Sequence, residues 1–184
     1  ERNDQQLPET WVKYIRNTIS RVAPYFTMKR MIEDYYSRIY SKMYERTRMM
    51  RENQYRMARE LSSWKQRMIR GWESIEVSDI RMTDSTRKPL VLGESFLAEI
   101  TLNLNELSGT DIGIEIIFGQ KVNDQIDHIT YKEELQLIRH EGSEVVFRCE
   151  IPSNRAGVFD YAFRVYPKNP LLPHRQDFSL VKWI

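Results

Sequence analysis

The stretch Phe96-Leu97-Ala98-Glu99-Ile100-Thr101-Leu102-Asn103, followed by Ile112-Gly113-Ile114-Glu115-Ile116-Ile117-Phe118, decides the fold. In the first segment Phe96, Ala98, Ile100 and Leu102 alternate with Leu97, Glu99, Thr101 and Asn103. In the second, Ile112, Ile114, Ile116 and Phe118 alternate with Gly113, Glu115 and Ile117. Successive side chains of an extended chain point to opposite faces, so a period of two marks strands with one face buried.

Working outward, the same rhythm predicts strands over 76–82, 90–92, 129–139, 144–151, 157–165 and 178–182. Turn-forming clusters separate them: Thr83-Asp84-Ser85, Gly93-Glu94, Ser108-Gly109-Thr110-Asp111, Gly119, Asn123-Asp124, Glu141-Gly142 and Ser153-Asn154. Seven or eight short strands with this punctuation predict an antiparallel β-sandwich of immunoglobulin-like type over residues 75–184, with the strand order left open.

Before Ile75 the period is helical. Trp11, Val12, Ile15, Ile19 and Val22 fall on one stripe of a helix expected over about 8–22, opened by Pro8 and Glu9 and stopped by Pro24. Thr27 is placed to cap a second helix whose stripe runs through Met28, Met31, Ile32, Tyr35, Tyr36, Ile39, Tyr40, Met43 and Tyr44. The pattern weakens through 47–53, where a bend is expected, and returns at Tyr55, Ala58, Leu61, Trp64, Met68 and Trp72 on a third helix. The expected class is therefore α+β: a helical segment of about three helices over 1–74, then the sandwich over 75–184.

A chain of 184 residues with 41% apolar content holds one generous domain or two small ones. No apolar run approaches the roughly 20 residues that cross a bilayer, and Glu1 to Gln6 lack the pattern of a signal peptide, so a soluble chain is expected. The lone Cys149 excludes an internal disulfide and suits a reducing, cytoplasmic setting. Residues 1–75 carry 16 basic against 9 acidic residues and the remainder 12 against 17. The cations interleave with Tyr and Met at helical spacing, the signature of a solvated helix face, and neither nucleic acid nor membrane is expected as a partner.

No reaction is written in the residues. His128, His140 and His174 are scattered without a cysteine partner, so no metal site is expected. There is no Gly-x-Ser-x-Gly elbow, no Gly-rich phosphate loop among 7 glycines, and Cys149 lies within a strand. Neighbouring carboxylates such as Glu133-Glu134 and Glu33-Asp34 point different ways. No catalytic and no cofactor-binding residue is therefore assigned. The Pro-rich segment from Tyr161 to Phe178 reads as a rigid crossover; its alternative reading is a binding edge using Arg164, Lys168, His174 and Arg175. Tyr166, Arg164, His174 and Trp183 are the candidate contacts to a ligand or a partner.

Two segments carry a family resemblance. Trp11-x3-Ile15-Arg16-Asn17-x-Ile19, then Phe26-Thr27-x-x-Arg30-Met31-x-x-x-Tyr35, resembles the closing helices of the α-glucan phosphorylases. The run Arg164-Val165-x-Pro167-x-x-Pro170-Leu171, ending at Trp183, is similar to the C-terminal region of a bacterial class of them. The resemblance implies that the chain is the C-terminal part of an enzyme whose two upstream lobes convert α-1,4-glucan and phosphate into glucose 1-phosphate. It also implies pyridoxal phosphate in that parent, on a lysine in a Ser-Gly-Thr-x-x-Met-Lys context. This chain lacks that context, and Lys29 is given no such role. The implied role is structural, with the upstream lobes of the same polypeptide as partner. The alternatives are a carbohydrate-binding module that anchors the enzyme to glycogen or starch, and an oligomerisation or regulatory domain working through the Met28–Tyr44 face.

Overall fold

A computed structural model describes residues 8–84, 90–91, 93–122, 125–154 and 158–184. The chain divides into two compact units, Glu1–Glu60 and Leu61–Ile184.

The first unit is helical. Helix α1 spans Glu9–Asn17, with Glu9 in its first turn and Arg16 in its last, each favourable to the helix dipole. It widens into a π-helical turn over Thr18–Val22 and ends in a 3-10 turn, Ala23–Phe26, that contains Pro24. Thr27 caps helix α2, Met28–Tyr35, its side chain accepting from the Arg30 backbone N–H at 3.3 Å. A second π-helical turn, Tyr36–Tyr40, follows. Both widened turns adjoin a hydroxyl that donates four residues back, Thr18 to the Tyr14 carbonyl at 2.9 Å and Ser37 to the Glu33 carbonyl at 2.7 Å. Each hydroxyl competes with the backbone for that carbonyl.

Helix α3, Ser41–Gly71, continues directly from this turn, so the second and third expected helices are joined. It is broken at Glu52–Tyr55, slightly later than the bend expected at 47–53. Asn53, Gln54 and Tyr55 hold φ of 49°, 55° and 62°. Asparagine tolerates the left-handed region; Gln and Tyr do not, at about 1–2 kcal/mol each. Arg59 donates from its guanidinium to the Gln54 carbonyl.

The second unit combines the end of α3 with seven strands. Trp64, Met68 and Trp72 recur at helical spacing and lie in one core with Ile75 and the sheet's inner residues. The strands are β1 (Glu76–Met82), β2 (Ser95–Asn103), β3 (Ile112–Val122), β4 (Gln125–Glu141), β5 (Glu144–Pro152), β6 (Asp160–Pro167) and β7 (Lys182–Trp183). Alternation decides their faces as expected: Ala98, Ile100 and Leu102 of β2, Ile112, Ile114 and Ile116 of β3, and Val145 and Phe147 of β5 are buried together.

The immunoglobulin-like sandwich gives way to a different arrangement. All neighbouring strands pair antiparallel in one seven-stranded sheet, ordered β1-β2-β5-β4-β3-β6-β7. The cause is the length of β4. Its first part pairs with β3 as far as Leu135, opposite Ile114, and its second part pairs with β5 from Gln136, opposite Arg148. A register shift between Leu137 and Arg139 bends the strand. The sheet therefore curls around its core as a half-barrel rather than splitting into two stacked layers.

Other strand expectations changed locally. Leu90 and Val91 are not in a strand, although Leu90 packs against the core, and Leu92 lies outside the described residues. The Asn123-Asp124 turn and Gly157 also lie outside them, and β6 begins at Asp160. Of the strand expected over 178–182, only Lys182 pairs with β6, and the strand runs on to Trp183 instead. Ile184 adds two backbone hydrogen bonds with Phe163, at 3.1 and 3.3 Å.

Candidate functional site

The candidate residues converge on the outer face of β3, β6 and β7. Because Ile112, Ile114 and Ile116 point into the core, Gly113 and Glu115 point out. Register then sets a row across the sheet: Glu115 stands opposite Glu134 on β4 and Arg164 on β6, and Arg164 stands opposite Trp183 on β7.

Glu115 is only 3% exposed, the one charged residue buried among the described residues. A buried carboxylate is costly unless paired. Here one of its oxygens, Oε1, accepts from both the Arg164 guanidinium and the Arg175 guanidinium, the latter at 2.7 Å. Arg175 reaches it by stacking on the Tyr166 ring, 4.1 Å from guanidinium carbon to centroid. Tyr166 in turn lies over Gly113: a Cβ there would come within 2.4 Å of the ring, so only glycine lets the ring lie flat on the strand. Arg164 sits 5.7 Å from the Trp183 ring centroid.

The Pro-rich crossover places Arg175. His174 Nδ1 accepts from the Gln176 backbone N–H, and the His174 N–H donates to the Asp177 carboxylate, both at 3.1 Å, which closes a capping box around the turn Arg175–Asp177. Behind it Lys65 donates to the Asp177 carbonyl at 3.1 Å, and Phe178 packs on Trp64 with centroids 5.3 Å apart. Lys168 pairs with Glu134. Burial raises the Tyr166 phenol well above its ordinary pKa, with the Glu134 charge adding to the effect, so it stays protonated.

Of the four candidate contacts, the structure brings Arg164, Tyr166 and Trp183 together and gives them different parts. Tyr166 is buried beneath Arg175 and presents no ring face to solvent. His174 uses its Nδ1 to close its own turn. Trp183, 57% exposed, keeps a free area of ring beside Arg164. Sequence reasoning missed Glu115 as the centre of the cluster. In the sequence it is one more polar residue in an alternating strand, and its partners lie 49 and 60 positions away.

Other chemistries find little footing. Among the described residues no three His, Cys, Asp or Glu side chains gather as a metal site would require. Burial pushes the Cys149 thiol up to about 11, with Glu133 adding to the effect, so it is a poor nucleophile near neutral pH. Pyridoxal phosphate would require a lysine in an enclosed, phosphate-binding cavity. The described lysines are exposed or half-buried, and Lys29 is 84% exposed beside Glu33, so the residues present do not fit that group.

Fold and cluster together define a curled antiparallel β domain with a helical lead-in, clamped by ion pairs on its outer face. Residues 72–184 match the family described as the glycogen phosphorylase C-terminal domain, and the chain belongs to that family. It is 27% identical over 183 residues to a maltodextrin phosphorylase of Thermococcus litoralis, a match covering 94% of this chain and 20% of the relative. It is also 27% identical to glycogen phosphorylases of Mycobacterium bovis and Mycobacterium tuberculosis, with 98% of this chain covered and 21% of theirs. The chain thus spans about a fifth of the length of these relatives. Among the described residues, no helix is long and apolar enough to cross a membrane.

Proposed function

We propose that this chain is the C-terminal part of an α-glucan phosphorylase and serves its architecture rather than its chemistry. The parent reaction is the phosphorolysis of α-1,4-glucan to glucose 1-phosphate in the cytoplasm, with pyridoxal phosphate held by the upstream lobes. The division at 74/75 marks where helix gives way to strand, and the last turns of α3 serve the strand domain's core. The observation that carries this reading is the state of residues 9–44. No residue of α1, α2 or their flanking turns is buried, and Trp11, Ile15, Ile19, Phe26, Met31 and Ile39 are all exposed. A run of exposed apolar side chains this long belongs to an interface. The chain's small share of its relatives' length supplies the occupant: the upstream lobes of the same polypeptide.

The test is phosphorolysis by the purified chain with glycogen, phosphate and pyridoxal phosphate. No glucose 1-phosphate above background is expected, and enzyme-like formation would overturn the reading. A second reading, a glucan anchor, is supported by the relatives' names and by Trp183, whose exposed ring beside Arg164 resembles a sugar platform. It predicts retarded migration of the chain in glycogen-containing gels.

A further inference from the structure

The inner face of the curled sheet carries a feature that the ion-pair cluster does not use. Near the start of β2, Phe118 of β3 stands opposite both Tyr131 of β4 and Tyr161 of β6. The two tyrosine centroids lie 6.2 and 6.4 Å from that of Phe118, and Phe96 of β2 backs the row at 5.9 Å from Phe118 and 6.1 Å from Tyr161. Two residues deeper along β6, Phe163 is 2% exposed, whereas Tyr131 and Tyr161 are 39% and 41% exposed. The aromatic lining of the core therefore reaches solvent at this end.

The row is not purely apolar. Glu133 follows Tyr131 on the same face of β4 and accepts a hydrogen bond from the Tyr131 hydroxyl. Its register partner on β3 is Ile116, whose side chain lies in the core, so the carboxylate is on the concave side. A hydrocarbon ligand would meet a hydrogen-bonded carboxylate and two phenols here rather than an apolar wall. A pyranose suits both kinds of group, since its C–H faces stack on rings and its hydroxyls donate to a carboxylate. Ligands also favour the mouths of curled sheets, where a few polar groups converge on an apolar lining.

We propose that this mouth binds a short α-glucan segment, stacked on Tyr161 and Tyr131 and hydrogen-bonded to Glu133. For the ligand's class this rests on the glucan-anchor reading; it moves the contact from Trp183 to the concave face.

The test is a titration of the full 184-residue chain with maltoheptaose, followed by NMR, alongside affinity electrophoresis in glycogen gels for wild type, Tyr131→Ala, Tyr161→Ala and Trp183→Ala. Shifts centred on Phe118, Tyr131, Glu133 and Tyr161 are expected. Each tyrosine variant should bind about five- to tenfold more weakly, and Trp183→Ala should bind as wild type. Shifts centred on Trp183, with binding lost only in Trp183→Ala, would overturn the mouth and leave the anchor reading standing. Absence of any shift or retardation in wild type would overturn both. Because the wild-type shift map needs no variant, a tyrosine variant that fails to fold does not remove the decision.

Discussion

Glu115 shows how much one side chain can hold. Its carboxylate draws Arg164 from β6 and Arg175 from the crossover onto a single oxygen, so the last part of the chain is fastened to the middle of the sheet. Glu115→Ala leaves two guanidiniums facing each other without a counter-charge. Complete burial would make this cost about 3–5 kcal/mol, but the arginine side chains keep 23% and 36% of their exposure, so about 1–3 kcal/mol is expected. Urea unfolding checks this, and an unchanged midpoint would show that the cluster contributes nothing. At this scale the sequence was only partly legible. It pointed to Arg164, Tyr166, His174 and Trp183 as candidate contacts to a glucan or a partner, and three of them lie close together in the structure. What they gather around was hidden, because alternation fixes the face on which Glu115 lies but not what covers that face. Whether a polar residue on an outer face is solvated depends on a loop that arrives 60 residues later.

Elements were read more securely than their joints. The period-two segments became β1 to β6 nearly where expected, and Thr27 caps α2, because these signals are local. The order of the strands was not legible, since pairing between β2 and β5 joins residues far apart in the chain. The sandwich expectation failed at β4, whose continuation past a bulge joins two sets of strands. The break in α3 was foreseen as a weakening of the apolar stripe, but nothing in Glu52-Asn53-Gln54-Tyr55 signals left-handed geometry beyond the asparagine. That break makes a prediction with a definite sign. In a right-handed helix, Gln54→Gly lowers stability by about 1 kcal/mol; at φ 55° it relieves a comparable strain instead. Thermal melts followed at 222 nm should therefore show Gln54→Gly as stable as wild type or more so. A clear loss would mean that this segment is ordinary helix in solution.

For the whole molecule, the contrast is between a half that buries its apolar residues and a half that displays them. Met31, Tyr35 and Ile39 share one helical face and are 38%, 47% and 44% exposed. Left uncovered, such a face is expected to find a copy of itself. Sedimentation of the chain at increasing concentration should show reversible association, and Met31→Glu combined with Ile39→Glu should return it to monomer. Association that persists in the double variant would place the sticky surface elsewhere.

The seventeen-residue β4 has a consequence for how this domain varies among relatives. One strand serves as the seam of both flanks of the half-barrel, so gaining or losing a single residue along most of its length inverts every side chain downstream and turns the buried Leu135 toward water. Irregular steps already absorb such a change between Leu137 and Arg139, between Ile129 and Tyr131, and between Ile126 and His128. Length changes in this strand should therefore cluster at those steps and be purged elsewhere, which makes the bulges the places where the family's lineages can differ in length without coming apart.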